Sequence, residues 1–157
     1  MHPNVELISG FYRAFAARDH ASMASSYADN ARFSDPVFPD LDADQVRAMW
    51  RMFCLGEGDV DVTFGDVTAD DSRGSARWEA RYRFPKTGRL VRNQISASFD
   101  LRDGLIVRHV DRFDLYKWTR MALGPVGVVL GWTPLLKDQV RKQARAQLER
   151  FRAQEVT

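Results

Sequence analysis

The sequence predicts one α+β domain, with helices packed on one face of a curved, mainly antiparallel sheet. Three observations favour this fold class. The chain has 157 residues, which suits a single domain with a sizeable core. Apolar residues recur at helical spacing up to Phe53, and from Asp59 the apolar period changes to two. Helices followed by a run of strands is an α+β element order, and a sheet curved around helices forms a cone with a mouth.

Three helices are predicted ahead of most of the sheet. The first has the apolar positions Val5, Ile8, Phe11, Tyr12 and Phe15, with Pro3 in its first turn. Asp19 opens a shorter helical stretch that carries Met23 and Tyr27. The third begins at Asp42, because Asp42 followed by Gln45 has the spacing of a capping box. Its apolar stripe is Val46, Met49, Trp50 and Phe53, and Gly56 and Gly58 end it.

Strands are predicted where apolar and polar residues alternate. The inward positions are Val60, Val62 and Phe64, then Trp78, Ala80, Tyr82 and Phe84, then Val91, Asn93, Ile95, Ala97 and Phe99. Strands with one covered face are typical of an antiparallel sheet, and the turn sequences PKTG (85–88) and RDG (102–104) join them as hairpins. A last strand is predicted over residues 105–116. Its covered face contains Val107 and Phe113, with His109 and Asp111 between them.

Residues after this strand form a predicted helical extension, about 119–155. Residues 121–136 are mostly apolar but contain three glycines and two prolines, and the segment is too short to span a bilayer. Thr133 and Pro134 suit the start of a closing helix with an apolar stripe at Leu136, Val140, Ala144, Leu148 and Phe151. We expect this helix to pack on the sheet or against a partner subunit, and a membrane surface is the alternative.

Composition excludes several classes of function. Residues 1–71 carry 13 acidic and 5 basic side chains, whereas residues 72–157 carry 8 acidic and 18 basic side chains. The basic residues lie at alternate strand positions and on one side of a helix, which favours solvated faces over a nucleic-acid surface. No His or Cys pair has metal-ligand spacing, and the glycines at 124, 127 and 131 do not follow a strand. We therefore expect no metal and no nucleotide cofactor.

The single cysteine, Cys54, excludes an internal disulfide and is expected to be an inert core thiol. No apolar segment follows Met1, so we expect a cytoplasmic protein.

The candidate site consists of polar residues predicted to face inward. In RFSDPVF (32–38), Asp35 comes where a buried strand ends. Desolvation raises the pKa of a carboxyl in an apolar cavity, which makes it a proton acceptor near neutral pH. The other members are His109, Asp111, Asn93 and the hydroxyl of Tyr12 or Tyr27. The structural alternatives are that Asp35 binds backbone amides, and that His109 and Asp111 form a satisfied buried pair or Asp111 binds an arginine such as Arg32.

Three segments resemble the NTF2-like superfamily, in its SnoaL-like and ketosteroid-isomerase-like branch: FYRAFAARD (11–19), YADNARFSDPVF (27–38) and TGRLVRNQISASFDLRDGLIVRHVDRFDLYKW (87–118). The resemblance covers about residues 5–118. It implies a single NTF2-like domain over residues 1–157, with three helices around a curved sheet, a central apolar pocket and a homodimer.

The resemblance also implies roles for single residues. Asp35 matches the catalytic base of steroid isomerases, whereas Phe11 and Ala97 stand where that family has its oxyanion donors. His109 and Asp111 resemble the acid/base positions of SnoaL-like polyketide cyclases and of limonene-epoxide-hydrolase-like enzymes. Arg77 and Glu79, the candidates for the remaining hydrolase residues, are predicted to lie on the outer face.

The sequence thus favours a cofactor-independent enzyme acting on a small apolar molecule with a carbonyl or an epoxide. Asp35 and Asp111 would exchange protons, His109 would orient or protonate, and Tyr12 and Asn93 would donate hydrogen bonds. The pocket wall would consist of Trp50, Trp78, Tyr82 and Phe113. The alternative is a binding module for an apolar ligand or a dimeric accessory domain without catalysis.

Overall fold

The computed structural model describes residues 2–56 and 58–156; Met1, Glu57 and Thr157, which the predicted domain includes, lie outside it. The helices are α1 (Pro3–Ala16), α2 (His20–Ser25), α3 (Ala43–Leu55), α4 (Leu115–Leu123), α5 (Pro125–Leu130) and α6 (Pro134–Val156). The strands are β1 (Tyr27–Ser34), β2 (Asp61–Ala69), β3 (Arg73–Arg83), β4 (Leu90–Arg102) and β5 (Leu105–Arg112). The predicted α+β class is confirmed.

One sheet contains all five strands in the order β1-β5-β4-β3-β2. The pairs among β2, β3, β4 and β5 are antiparallel, and β1 joins β5 in parallel. Buried and exposed residues alternate along the whole of β4, so one face of the sheet is covered and the other is solvated. The helices α1 and α3 pack on the covered face, which places the core inside the curve of the sheet.

Local sequence sets the start of each of the first three helices. The side chain of His2 accepts a hydrogen bond from the backbone N–H of Asn4 at the start of α1, and Asp19 caps α2. The capping box predicted for α3 is present: Asp42 accepts from the Gln45 N–H at 2.8 Å, and the Gln45 side chain accepts from the Asp42 N–H at 2.9 Å. Such caps satisfy backbone donors that have no partner within the helix.

Two boundaries differ from the prediction. Tyr27 does not belong to the second helix, since α2 ends at Ser25 and Tyr27 is the first residue of β1. The last strand ends at Arg112 rather than at residue 116, so Phe113 follows the strand. Asp114 accepts a hydrogen bond from the Lys117 N–H at 3.1 Å and begins α4. The cap takes the backbone out of the extended conformation.

The prediction for Val107 is also wrong in detail. The β4/β5 register shifts between Asp100 and Leu101, because Asp100 pairs with Arg108 and Leu101 pairs with Ile106. Val107 is the extra residue of this irregularity and is only half-buried, while Ile106 is fully buried. A bulge changes the face that following residues occupy, and here it keeps His109 and Asp111 on the covered face.

The C-terminal helices cover one end of the cone. α4 packs on β4, where its residues Leu115, Trp118 and Ala122 form a second apolar cluster with Val91 of β4. α6 packs on α3, where Leu148 is fully buried and Arg51 pairs with Glu155. The Arg141 Nε donates to the Pro36 carbonyl oxygen at 2.9 Å, which connects α6 to the loop after β1.

None of the helices in the described ranges combines the length and the apolar character that a bilayer crossing requires.

Candidate functional site

Asp35 lies in a tight turn directly after β1. Its Oδ1 accepts hydrogen bonds from the backbone N–H groups of Val37 at 2.7 Å and of Phe38 at 2.6 Å. The Asp35 N–H donates to the Phe38 carbonyl oxygen at 2.9 Å, which closes the turn. No hydrogen bond within the described part of the chain uses Oδ2. The carboxyl therefore has one oxygen fixed by the backbone and one oxygen available to another group.

A chain of hydrogen bonds crosses the covered face from α3 to β5. Trp50 Nε1 lies 2.9 Å from Tyr27 Oη, which lies 2.8 Å from His109 Nδ1. His109 Nε2 in turn lies 2.8 Å from Asp111 Oδ1, and Trp78 Nε1 lies 3.4 Å from the same oxygen. These five side chains are all buried. We call the Trp50, Tyr27, His109 and Asp111 side chains the relay.

The direction of each hydrogen bond in the relay follows from the Trp50 N–H at one end, which can only donate. An indole N–H can only donate, so Tyr27 Oη accepts from Trp50 and gives its own hydrogen to His109 Nδ1. The remaining imidazole hydrogen is then on Nε2 and is donated to Asp111 Oδ1. Neutral His109 in this tautomer satisfies every member, since a second imidazole hydrogen would leave the Tyr27 hydroxyl without an acceptor. The relay fixes Oδ1 of Asp111 and leaves Oδ2 unpaired among the described residues.

Tyr12 lies beside the relay and has an unsatisfied hydroxyl. Its side chain is fully buried, and Oη is the buried side-chain polar atom without a hydrogen-bond partner in the described ranges. The Tyr12 ring stacks on Phe64 with 5.5 Å between centroids and lies 5.7 Å from Trp78. Burying a hydroxyl without a partner costs about 1–3 kcal/mol, so this donor is costly to keep for structure alone.

The electrostatics of these groups are coupled through Asp111. The pKa of Asp35 is raised to about 7, chiefly by burial; the Phe38 N–H lowers it, the Asp111 charge raises it, and the Val37 N–H lowers it. Burial also raises the pKa of Tyr12 and of Tyr27 well above the usual tyrosine range, with the Asp111 charge contributing in both. The Asp111 charge therefore raises the proton affinity of Asp35, Tyr12 and Tyr27 alike.

The centre of the cone holds packed rings where the resemblance implies an apolar pocket. Trp50 lies 5.0 Å from Phe15 and 6.2 Å from Trp78, and Phe11 lies 5.6 Å from Trp50. Large aromatic side chains that are predicted to line a cavity can fill it instead, because edge-to-face contacts are favourable.

The end of the cone that contains Asp35 is less tightly packed than its centre. Tyr82 and Phe113 are half-buried there, and the amide of buried Asn93 makes no side-chain hydrogen bond within the described ranges. Trp118 on α4 donates from Nε1 to Tyr82 Oη at 2.8 Å. Burial raises the pKa of Tyr82, and the nearby Asp35 charge adds to this shift.

The structure also shows where the other residues considered in the sequence analysis lie. Arg32 pairs with Asp40 at 2.6 Å and not with Asp111. Glu79 lies on the outer face, as predicted, and pairs there with Arg81 and Arg92, and Arg77 is exposed. Cys54 is buried, and burial raises the pKa of its thiol. Within residues 2–56 and 58–156, no three His, Cys, Asp or Glu side chains form a group that could hold a metal ion.

Three positioning contacts were missed from the sequence. They are the Trp50 N–H to Tyr27, the Trp118 N–H to Tyr82, and the Arg141 side chain on Pro36. The sequence does indicate that the first two exist in some form, because the N–H of a buried tryptophan and the hydroxyl of a buried tyrosine usually form a hydrogen bond. The partner itself depends on contacts between residues distant in sequence.

Comparison with known proteins gives a family match and many structural relatives. The family model for the SnoaL-like domain matches residues 8–109, about two thirds of the chain. No curated protein matches the sequence.

Similar solved structures include an LEH-like epoxide hydrolase from M. tuberculosis, with a TM-score of 0.65 and 18% identity over 82% of this chain and 96% of that chain. An NTF2-like protein of unknown function from Burkholderia pseudomallei has a TM-score of 0.66 and 16% identity, over 77% of this chain and 98% of that chain. A protein from Xanthomonas campestris that is proposed to be a polyketide cyclase has a TM-score of 0.63 and 21% identity, over 76% of this chain and 96% of that chain. At these identities the likeness establishes the NTF2-like fold alone.

Proposed function

The chain belongs to the SnoaL-like domain family, and from this premise we propose that it catalyses cofactor-independent acid/base chemistry on a small apolar molecule with a carbonyl or an epoxide. The observation that carries the proposal is the Asp35 carboxyl, whose pKa of about 7 suits proton exchange at neutral pH. The epoxide hydrolase among the structural relatives adds support for the substrate class, by analogy of fold.

Asp35 is the proton acceptor in this proposal. Its Oδ1 is held by two backbone N–H groups, so Oδ2 is the oxygen that would take the proton. With a carbonyl substrate, the C–H bond beside the carbonyl breaks, its electron pair forms an enolate, and Oδ2 binds the proton. Return of that proton to another carbon completes an isomerisation, and no oxidant or reductant is needed.

Two neighbouring groups would compensate for the apolar residues at the family's donor positions. Tyr12 follows Phe11 in α1, and its unpartnered hydroxyl would donate to the enolate oxygen. Asp111 lies directly opposite Ala97 in the β4/β5 register, and its Oδ2 would be the second carboxyl oxygen available for proton exchange with the substrate. His109 would keep Asp111 oriented through Oδ1, with Tyr27 and Trp50 as positioning residues behind it.

We propose that the substrate reaches the buried Tyr12 hydroxyl by entering at the Asp35 end of the cone. Asp35, Tyr82 and Phe113 are all half-buried there, whereas the rings deeper in the cone are packed against each other. Asn93 would supply a further hydrogen bond from the sheet. Trp50 and Trp78 would support the site from the interior.

A substrate screen with matched variants tests this function. The purified protein is incubated with apolar ketones, enones and epoxides, and turnover is followed by mass spectrometry and proton NMR. We expect Asp35→Asn and Asp111→Asn to reduce kcat about 10²–10⁴-fold, the usual effect of removing an acid/base group. Asp103→Asn, in the exposed turn between β4 and β5, is the control and should retain full turnover. Unchanged turnover in both Asp35→Asn and Asp111→Asn would exclude the assignment.

A second candidate is a non-catalytic domain that binds an apolar ligand or supports a dimer. One observation favours it: Asp35 already satisfies two backbone amides, which suits a structural role for this carboxyl. The aromatic rings that fill the centre of the cone count against a central pocket in either candidate. A molecule that copurifies with the protein and keeps its mass after long incubation would favour binding over catalysis. A concentration-dependent dimer with no ligand and no turnover would favour the accessory role.

A further inference from the structure

Exposed apolar side chains are concentrated in one surface region, away from Asp35 and the relay. Nine large apolar side chains are exposed in the described ranges, and seven of them belong to this region: Leu90 and Val128 line one surface depression, and the other five lie between residues 126 and 135. We call it the apolar patch: Leu90, Val126, Val128, Val129, Leu130, Trp132 and Leu135. Trp132 is 65% exposed and Leu135 is 80% exposed. Contiguous exposed apolar surface usually marks an interaction site.

Glycine packing turns these side chains outward. A Cβ at Gly127 in α5 would overlap the Thr119 carbonyl oxygen, and a Cβ at Gly131, which caps the end of α5, would overlap the Thr119 hydroxyl. The backbone of α5 therefore lies directly on α4 through its glycines. Its valines point to the opposite side and have no core to enter.

Cations without carboxylate partners border the apolar patch. Arg89, Lys117 and Arg120 line a surface depression of about 560 Å³ together with Leu90, Met121 and Val128. Among the described residues, none of the three cations forms an ion pair. Residues 115–137 contain three basic side chains and no acidic one. The surface thus combines apolar area with unneutralised positive charge.

We propose that the apolar patch docks this protein on an anionic lipid surface. The exposed valines and leucines would enter the boundary between headgroups and acyl chains, and Trp132 would lie at headgroup level. Arg89, Lys117 and Arg120 would face lipid phosphates. A second copy of this chain fits less well, because a two-fold contact through the patch would bring the same unpaired cations together.

Sedimentation with vesicles tests the docking. The full chain should pellet with vesicles of phosphatidylglycerol and phosphatidylcholine in equal parts, and much less with pure phosphatidylcholine. Lys117→Gln should weaken binding about fivefold, the usual effect of one cation at an anionic membrane. Val129→Asp should abolish binding. The controls are Arg77→Gln on the outer face of the sheet and Leu55→Asp, an exposed apolar position outside the patch; both should bind as the parent chain does.

Tryptophan fluorescence gives a second readout with the same vesicles. Trp50, Trp78 and Trp118 are buried, so a blue shift on binding would come from Trp132. Trp132→Phe should lose the blue shift and still pellet. Failure of the folded parent chain to bind the mixed vesicles would overturn the proposal. So would a chain that ignores vesicles and forms a dimer that Val129→Asp dissociates. Neither result depends on turnover at Asp35.

Discussion

Asp35 has a raised pKa because burial removes more stabilisation from its charged form than two backbone N–H groups restore. The same turn that satisfies Oδ1 also holds the carboxyl in place. A group that is fixed, partly buried and close to half-ionised at neutral pH has the properties of a proton acceptor.

The Asp35 carboxyl should make stability depend on pH. Its folded pKa of about 7 is above the ordinary value of about 3.9, so between these values the folded state binds more protons than the unfolded chain. Its contribution to stability is present in full below about pH 4 and is lost as pH rises through about 7. Asp35→Asn cannot ionise, so its stability relative to the parent chain should increase from pH 5 to pH 8, by about 2–3 kcal/mol. Thermal melting across this range measures the difference, with Asp103→Asn as the exposed control.

The Tyr27 hydroxyl should stabilise the fold through the relay. Tyr27→Phe leaves Trp50 Nε1 and His109 Nδ1 without their shared partner in a buried site. We expect a loss of about 1–3 kcal/mol in the free energy of unfolding, measured by denaturant titration. Tyr116→Phe removes an exposed hydroxyl that donates to the Val128 carbonyl oxygen and should cost much less. Equal losses in the two variants would show that the relay adds nothing to stability.

Sequence periodicity predicts the burial of the candidate site residues better than it predicts their contacts. The period of two placed His109 and Asp111 on the covered face, where both are buried. Tyr27 was assigned to a helix, so its hydrogen bond to His109, 82 residues away, was out of reach of a local pattern. The raised pKa of Asp35 was expected from desolvation, whereas the packed centre of the cone depends on how several distant rings fit together.

Among the elements, β5 and α4 show how a cap overrides alternation. Residues 105–116 alternate well enough to predict one strand, yet the extended chain ends at Arg112. Asp114 accepts from the Lys117 N–H, so the chain turns into α4 at that point. The turn brings Trp118 over Tyr82, which closes part of the cone mouth.

Gly127 should be required for the contact between α5 and α4. Gly127→Ala places a methyl group against the Thr119 carbonyl oxygen, and backbone on both sides limits relaxation. We expect a net loss of about 1–3 kcal/mol, because overpacking outweighs the better helix propensity of alanine. Gly65→Ala is the control, since a Cβ there has no neighbour within 4 Å. Thermal melting compares the two variants, and an unchanged Gly127→Ala protein would contradict the close packing.

At the scale of the whole molecule, α6 connects the closing end of the chain to the Asp35 turn. A chain that ends at Trp132 loses buried Leu148 and the Arg141 hydrogen bond to Pro36. We expect a clearly lower melting temperature, since burying one leucine alone contributes about 1.5–3 kcal/mol. A chain that ends at Arg152 keeps both contacts, loses the Arg51 pair with Glu155, and should melt close to the full chain. Equal melting temperatures for all three chains would show that α6 does not stabilise the domain.

The proton affinity of Asp35 can be measured directly by carbon-13 NMR of the full chain labelled at aspartate carboxyl carbons. The Asp35 resonance is assigned by its loss in Asp35→Asn, and its chemical shift is followed against pH. We expect a midpoint near pH 7. A midpoint near pH 4, the ordinary value for aspartate, would contradict the proton-acceptor role proposed for Asp35.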